Sequence, residues 1–206
     1  MKILYVIIHT QKQPDRYHSI METWGKNVDV LFYSDHEELP NIIKVSNNSD
    51  YSSGEDKQIN IINNFPDDKM NYDWFVFVDN DSFVNTKKIL SEIEGFDKNV
   101  VHGQVCNCWS NDVNLFYCLG GAGIFVSKEI LIKLKGNLTH NPVIWGDVSL
   151  GINLRNLNIQ VINNTLCHSQ PASYYNILEN EIKNNLTFHY IKEKNVMEHL
   201  MFLCNH

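Results

Sequence analysis

The chain contains no long run of basic residues, and its 24 acidic residues outnumber its 17 lysines and arginines, which gives a formal net charge of −7 over 206 residues. Nucleic acids and anionic membrane surfaces are therefore poor candidates for partners. Long apolar runs are also missing. The N-terminal stretch MKILYVIIHT is shorter than the ~20 residues of a membrane helix, and a secretory signal would need a cleavage region as well. We interpret it as a buried first strand and expect no membrane span in this chain.

Cysteine is scarce, and the count of five is odd, so at least one thiol has no partner within the chain. The Cys-Asn-Cys segment at 106–108 lacks the second pair of ligands that a structural zinc site requires. Two alternatives remain for these residues. One is a bridge between Cys106 and Cys118 across the arms of a hairpin, and the other, which we favour, is free thiols.

The sequence also lacks repeats, low-complexity segments and any clear linker, and it is 43% hydrophobic, so we expect one domain with a substantial core. Segments with strand character alternate with segments of helical spacing, which predicts an α/β sheet with helices on both faces. The polar stretch at 46–56 is predicted to be a mobile loop. Strands are predicted at 3–9, 28–34, 41–45, 74–78, 100–105, 116–127 (around a glycine turn) and 158–163. Helices are predicted at 14–25, 54–65, 86–96, 128–136 (capped by Ser127), 147–157 and 194–203.

The segment WFVFVDND at 74–81 carries the strongest chemical signal, because five apolar residues run directly into Asp79 and Asp81. Continuous apolar runs are typical of strands buried on both faces, and open α/β sheets bind ligands beyond the carboxyl ends of their strands. Two carboxylates spaced in this way can point at one locus, where oxygen ligands suit Mg²⁺ or Mn²⁺. The alternative is an acidic turn that closes the strand. A calcium loop is disfavoured because the glycine and distal glutamate of an EF-hand are missing.

Three other segments carry residues that a ligand site needs. Gly120, Gly121 and Gly123 cluster in LGGAGIFVS, where glycine permits a close approach of the backbone to a ligand, or forms a plain turn. Asp147 begins a predicted helix, whose N-terminus favours the ionised carboxylate of a general base, although a helix cap is the alternative. His189 ends a short apolar run and is either a ligand or a satisfied core histidine.

Taken together and in this order, these segments resemble the β1,3-glycosyltransferases of the Fringe and core 1 β1,3-galactosyltransferase type. The resemblance covers nearly the whole chain. It includes the opening strand with its Thr-Trp helix, the aspartate triplet, the Gly-Gly-Ala-Gly segment, the acidic helix start and the Phe-His-Tyr tail. The segments that carry it are HTQ with METWG, WFVFVDNDSFV, YCLGGAGIFVSKEIL, WGDVSLG and LTFHYIKEKNVMEHLMFL.

The resemblance implies a single GT-A domain over 1–206, with a nucleotide-binding half at 1–85 and an acceptor-binding half at 86–206. It also implies a hexosyltransferase that inverts the anomeric centre and uses Mn²⁺, with Mg²⁺ as the alternative ion. A UDP-sugar would be the donor, with galactose expected first and N-acetylglucosamine second, and a glycan or glycoprotein hydroxyl would be the acceptor, in β1,3 linkage. The alternatives are an inactive chaperone-like or lectin-like relative, and a retaining transferase or nucleotidyltransferase with an Asp-x-Asp motif.

Carried over position by position, the resemblance makes Asp79, Asp81 and His189 the metal ligands. His168 is the rival third ligand, because Fringe-type proteins use a His-Ser-His segment near this position. Asp147 would be the catalytic base. The residues expected to bind the nucleotide or the donor sugar are Thr10, Gln11, Lys57, Asp79, Asn80, Gly120 and Gly121.

Two positions depart from the family pattern. The middle residue of the aspartate triplet is Asn80, which removes one charge and keeps both outer ligands. The acidic residue before Asp147 is Gly146, so we expect a different acceptor pocket, where Trp145 either stacks on the acceptor ring or is a core aromatic. With no signal or membrane segment in this chain, a soluble cytoplasmic protein of microbial or viral origin is favoured. The lumenal domain of a trimmed Golgi enzyme is the alternative.

Overall fold

The computed structural model describes residues 1–109 and 111–205, and this part of the chain forms twelve β-strands and six α-helices. The helices are α1 Pro14–Glu22, α2 Gly54–Asn63, α3 Thr86–Glu92, α4 Lys128–Leu134, α5 Gly146–Asn156 and α6 Lys194–Asn205. The strands are β1 Ile3–Ile8, β2 Asp29–Ser34, β3 Ile42–Lys44, β4 Trp74–Asp79, β5 Phe83–Val84, β6 Val101–Gly103, β7 Val105–Cys106, β8 Tyr117–Cys118, β9 Ile124–Ser127, β10 Val161–Asn163, β11 Cys167–His168 and β12 Thr187–Phe188. Among the helices described, none combines the length and apolar character that crossing a membrane requires.

Seven strands form the central sheet, in the order β10-β6-β9-β4-β1-β2-β3. Strand β9 runs antiparallel to both of its neighbours, and the remaining pairs are parallel. Helices cover both faces, so the predicted α/β sheet is confirmed. Ser127 also caps α4 as predicted, because its Oγ accepts a hydrogen bond of 3.1 Å from the backbone of Ile130.

Strand β4 is buried on both faces, which explains its uninterrupted apolar sequence. Trp74, Val76 and Val78 pack on one side, in the hydrophobic cluster that contains residues of α1, α3 and α6. Phe75 and Phe77 pack on the other side, with residues of α2, α4 and α5. All five side chains are at most 2% exposed, and burying each large one contributes about 1.5–3 kcal/mol. The packing of β4 therefore fixes the position of its carboxyl end, where the two aspartates lie.

A small second sheet, which the sequence pattern did not predict, brings distant segments to this end of β4. Strand β12 pairs with β5 in antiparallel fashion, so that Phe188 lies opposite Phe83, and β11 adds to its other side. Each strand has only two residues and carries no periodicity that a sequence analysis can detect. The pairing places His189, one residue beyond β12, next to the segment that follows β4.

Two predicted elements are corrected. The polar stretch at 46–56 was expected to be a loop, but it contains a 3₁₀ turn at Tyr51–Ser53 and the first turn of α2, where Glu55 is buried. The strand predicted at 100–105 is divided between β6 and β7, which belong to different sheets.

The cysteine expectation is also wrong. Cys106 is bonded to Cys108, so these two are not free thiols, and Cys118 is free and buried. In the β7–β8 hairpin, Cys118 lies opposite Val105 and Cys106 lies opposite Tyr117. Because neighbouring residues of a strand point to opposite faces, Cys106 and Cys118 face away from each other and cannot form the expected bridge.

Candidate active site

Asp79, Asp81 and His189 meet at the carboxyl end of β4. Their potential ligand atoms all lie within 4.8 Å of one another, and no other group of three or more such residues is found in the part of the chain that is described. Nε2 of His189 lies 3.0 Å from Oδ1 of Asp81 and 3.4 Å from Oδ2 of Asp79. The two aspartates predicted at a strand end thus converge with the predicted histidine, which lies 108 residues further along the chain from Asp81.

Hydrogen bonds hold the segments of this cluster together. The backbone of Ile191 donates a hydrogen bond of 2.7 Å to the carbonyl oxygen of Asp81. Tyr190, between His189 and Ile191, has a φ of 59°, in the left-handed region that non-glycine residues rarely adopt. Trp24 packs against Tyr5 and donates through Nε1 to the carbonyl oxygen of Ser82 at 3.0 Å, which ties the segment after α1 to the aspartate segment.

Charges within this cluster also shift the pKa values of His189 and Asp81. Burial lowers the pKa of an imidazole, but hydrogen bonds to Asp79 and Asp81 and their charges outweigh burial and raise the pKa of His189 to about 9. Burial would raise the pKa of Asp81, yet His189 and the nearby Arg16 guanidinium hold it below its usual value. At neutral pH the imidazole therefore carries a positive charge, which compensates one of the two carboxylates. A divalent ion would take over that role and displace the proton.

Gly120 and Gly121 form the floor of the site in the 3₁₀ turn that precedes β9. A Cβ atom at Gly121 would lie 2.2 Å from Nδ1 of His189, so only glycine allows the imidazole to pack there. A Cβ at Gly120 would lie 3.6 Å from Cβ of Asp147 and 3.7 Å from Oδ1 of Asp79. The turn is held by Ser82, whose Oγ donates a hydrogen bond of 2.8 Å to the carbonyl oxygen of Gly121. The glycine turn therefore lies between Asp147 and the cluster of possible metal ligands.

Asp147 is the second residue of α5 and lies on the other side of this turn. Its Oδ2 accepts a hydrogen bond of 3.1 Å from the backbone of Gly120, and its Oδ1 accepts one of 2.8 Å from the backbone of Val148. Burial raises the pKa of Asp147 to about 6, since the hydrogen bond from Gly120 lowers it less and the charge of Asp79 raises it further. A carboxylate poised near neutral pH matches what general base catalysis requires.

One cavity of about 870 Å³, a volume typical of small-molecule sites, is lined by Asp79, Asp81 and His189, by Gly120 and Gly121, and by Asp147. Trp145 borders it and is 40% exposed, so the alternative of a core aromatic does not hold. Trp109, which the sequence analysis did not identify, meets Trp145 edge to face at 5.2 Å between ring centroids. The cavity thus has an acidic, histidine-bearing wall and an aromatic wall.

The residues expected on the nucleotide side lie at one end of the cavity, with one exception. Thr10 and Lys57 line it, whereas Gln11 does not and binds Oδ1 of Asp35 through its backbone N–H. Lys57 is 3% exposed and pairs with Asp35 at 3.1 Å, so its charge is already compensated within the protein. His9 lines the same end, and its buried Nε2 has no hydrogen-bond partner among the residues described. This end of the cavity is therefore polar.

His168, the rival metal ligand, does not join the cluster. Its Nε2 lies 2.7 Å from Oδ1 of Asn185, and its ring stacks on Phe188 at 5.0 Å. It is 8% exposed, and burial lowers its pKa. The contacts are those of a packed core histidine, so the structure brings His189 and not His168 to the aspartates.

Comparisons with known proteins agree with this architecture. A family model described as Fringe-like matches residues 2–202, and a comparison with curated protein sequences gives no match. A glycosyltransferase involved in the glycosylation of the major capsid of PBCV-1 has a TM-score of 0.60 and 16% identity, with 98% of this chain and 100% of that chain covered. The apo form of the glycosyltransferase GlyE from Streptococcus pneumoniae TIGR4 has a TM-score of 0.54 and 13% identity, with 100% of this chain and 62% of that chain covered.

At these identities the solved structures establish the fold, which is the GT-A fold, with a mostly parallel central sheet in one domain. The family match spans nearly the whole chain and, together with the neighbours, supports a glycosyltransferase. The chain belongs to the Fringe-like family.

Proposed function

We propose that the protein is an inverting, metal-dependent glycosyltransferase that moves a sugar from a UDP-sugar to a hydroxyl of a glycan or glycoprotein in β1,3 linkage. One observation carries the proposal. Asp79, Asp81 and His189 converge at the end of β4, and Asp147 faces the same cavity across the glycine turn. A group that holds a leaving diphosphate and a group that accepts a proton are the two parts that a single displacement needs.

The donor set fits a divalent ion. Two carboxylates suit Mg²⁺ or Mn²⁺, and the imidazole favours the transition metal, so Asp79, Asp81 and His189 would hold Mn²⁺ in preference to Mg²⁺. When bound, the ion supplies a Lewis acid that compensates the negative charge of the leaving diphosphate. The contacts of the His189 ring with Gly121 and with the Tyr190 ring, whose centroid lies 3.9 Å away, would keep the imidazole in place for this task.

Asp147 is the proposed catalytic base. Its carboxylate would accept the proton of the acceptor hydroxyl as that oxygen forms a bond to the anomeric carbon, while the bond to the UDP oxygen breaks on the opposite face. An α-linked donor would then give a β-linked product. A positioned base contributes ~10²–10⁴-fold to such a step. The donor sugar would lie along Gly120 and Gly121, with the acceptor on the side of Trp145.

The nucleotide would lie at the end of the cavity bordered by Thr10 and Lys57, next to Asp79 and Asn80, with the backbone at Gln11 supporting this wall. Residues 1–85 would then bind the nucleotide, and residues 86–206 would bind the acceptor. His189 is the exception, because it belongs to the second half and contacts the aspartates of the first. Galactose is the first candidate for the transferred sugar and N-acetylglucosamine the second, on the strength of the resemblance to core 1 enzymes.

The proposal is tested by incubating the protein with a panel of UDP-sugars and Mn²⁺, with and without sugar acceptors. UDP release and product mass are followed, and the anomeric configuration is read by NMR. We expect one donor to be consumed in a metal-dependent way and to give a β-linked product. Asp147→Asn should abolish transfer and keep UDP binding, which separates loss of the base from loss of the fold.

Three outcomes would contradict the proposal. UDP binding without turnover of any donor would indicate an inactive relative of the same fold. An α-linked product would indicate a retaining enzyme. Unchanged turnover in Asp147→Asn would show that another group acts as the base.

A further inference from the structure

Glu55 is a buried carboxylate that the proposed reaction does not use. It lies in the first turn of α2 and is 6% exposed, although glutamate is almost never fully buried unless it is paired. Its Oε1 accepts hydrogen bonds from the backbone N–H of Asn141 at 2.9 Å and from Oγ of Ser149 at 2.8 Å. Its Oε2 lies 3.0 Å from Nδ1 of His140. These partners follow 85 to 94 residues later in the chain, so the carboxylate joins two distant segments.

The backbone of α2 contacts the same distant segment. The N–H of Glu55 donates a hydrogen bond of 3.2 Å to the carbonyl oxygen of Ile144. A Cβ atom at Gly146 would lie 2.9 Å from the carbonyl oxygen of Gly54, so the two backbones approach closely there. Glu55 therefore holds the segment at 140–146 in two places, through its carboxylate near the beginning and through its N–H near the end.

The segment at 140–146 carries part of the aromatic wall of the cavity. Ile144 and Trp145 line the cavity and are 41% and 40% exposed, so their own burial does little to fix their position. Residues 140–145 form neither helix nor strand. Their backbone is therefore held by contacts with other elements, and the contacts of Glu55 reach both ends of the segment.

Asp147 is held by different contacts. Its carboxylate accepts a hydrogen bond from the backbone of Gly120, and buried side chains such as Leu150 and Leu154 anchor α5. Loss of the Glu55 contacts should therefore displace Trp145 more than Asp147. Binding of the acceptor should weaken while the base stays in place.

We propose that Glu55 is a positioning residue for the acceptor, because its carboxylate holds the segment at 140–146 where Trp145 forms the acceptor wall. The inference rests on the proposed function. Glu55 acts through the segment, since it does not itself line the cavity. A purely structural role, in which Glu55 only stabilises the fold, predicts lower thermal stability with unchanged binding constants in the folded protein.

The first experiment needs no substrate. Glu55→Ala should increase amide hydrogen exchange at 139–146, followed by mass spectrometry, and leave exchange in β4 unchanged. Quenching of tryptophan fluorescence by acrylamide gives a second readout. Trp24 and Trp74 are buried, so quenching reports on Trp109 and Trp145, and it should increase in the variant.

The second experiment measures transfer with Mn²⁺ and the UDP-sugar that the wild type consumes. The acceptors are p-nitrophenyl glycosides of galactose, N-acetylgalactosamine and N-acetylglucosamine. Glu55→Ala should raise the KM for the acceptor about 10- to 100-fold, as expected when hydrogen bonds to a charged group no longer hold the binding wall in place. Its kcat should change far less, because Asp147 keeps its contact with Gly120. The affinities for UDP and Mn²⁺, measured by calorimetry, should equal those of the wild type.

Asp56→Ala is the matched control. It removes a carboxylate from the same turn of α2, and the side-chain hydrogen bond described for Asp56 comes from Asn60 of the same helix. We expect wild-type hydrogen exchange and a wild-type KM for the acceptor. Glu55→Gln keeps an oxygen that can accept from Asn141 and Ser149, so its KM should lie between those of the wild type and Glu55→Ala. It serves as the test variant if the alanine variant does not fold.

A raised KM for the acceptor with unchanged affinities for UDP and Mn²⁺, together with faster exchange at 139–146, would support the proposal. Unchanged exchange in that segment, an unchanged KM, or an equal loss of UDP affinity would each overturn it. If the wild type transfers no sugar, the proposed function itself fails, and the exchange experiment still decides whether Glu55 holds the segment.

Discussion

Replacing Gly121 with alanine is expected to displace the His189 imidazole and to weaken metal binding while leaving the fold intact. The added Cβ would lie 2.2, 2.3 and 2.4 Å from three ring atoms of His189, where ordinary contact begins at 3.4 Å. The ring would have to retreat by about 1 Å or more to regain normal contact. Tyr190 stacks on the same ring, with 3.9 Å between the ring centroids, so a movement of the imidazole would also disturb this contact.

The expected size of the effect follows from the role of the histidine. Side chains that only orient a metal ligand are worth 10- to 100-fold in metal affinity, so displacing the ligand itself should cost at least ~10-fold and more than ~100-fold if His189 is lost entirely. The assay is a titration of Mn²⁺ followed by calorimetry or by the relaxation of water protons, with thermal unfolding as a check on the fold.

Gly120→Ala is the matched control, one residue earlier in the same turn. Its added Cβ would meet its nearest neighbours at 3.6–3.8 Å, which is ordinary contact, and its φ does not lie in the left-handed region. We expect this variant to bind Mn²⁺ as the wild type does. Wild-type Mn²⁺ affinity in Gly121→Ala would refute the reasoning, because it would mean that His189 is not a ligand or is not confined by the glycine turn.

Three further predictions follow from particular contacts. Asp147 must be ionised to accept a proton, and its pKa is raised to about 6, so kcat/KM should fall as the pH drops through about 6. A kcat/KM that stays constant down to pH 4 would exclude Asp147 as the base. Gly146→Glu, which restores the acidic residue of the family, should lower the free energy of unfolding by about 1–3 kcal/mol in denaturant titrations. The reason is that its Cβ would meet a neighbouring side chain at 2.6 Å and a backbone oxygen at 2.9 Å, whereas Gly95→Ala, with no atom within 4 Å, should be neutral. His168→Gln should keep wild-type Mn²⁺ affinity, and a loss as large as that of His189→Gln would make His168 the ligand.

The sequence predicted those parts of the fold that depend on local pattern. The apolar run of β4 and the capping hydroxyl of Ser127 are signals contained within a few residues, and both are confirmed. The convergence of Asp79 and Asp81 was predictable for the same reason, since both carboxylates follow directly from one strand end. The family resemblance added the order of the segments and the candidate roles of the more distant residues.

Contacts between distant segments were not predictable from local pattern. His189 reaches the aspartates through the pairing of two-residue strands, whose length leaves no periodicity to detect. Arg16 approaches Asn80 across 64 residues, and nothing in the helix sequence distinguishes it from a solvent-exposed arginine. The bond between Cys106 and Cys108 was not predicted, because free thiols were favoured and Cys118 was the only partner considered, whereas the register turns Cys118 to the other face.

A crystal structure of the protein with UDP and Mn²⁺, recorded with anomalous scattering from manganese, tests the central claim most directly. The account predicts a single strong manganese peak bound by Asp79, Asp81 and His189, with the diphosphate next to it and the uridine towards Thr10. A manganese peak at His168, or UDP bound outside the cavity that contains Asp147, would contradict it.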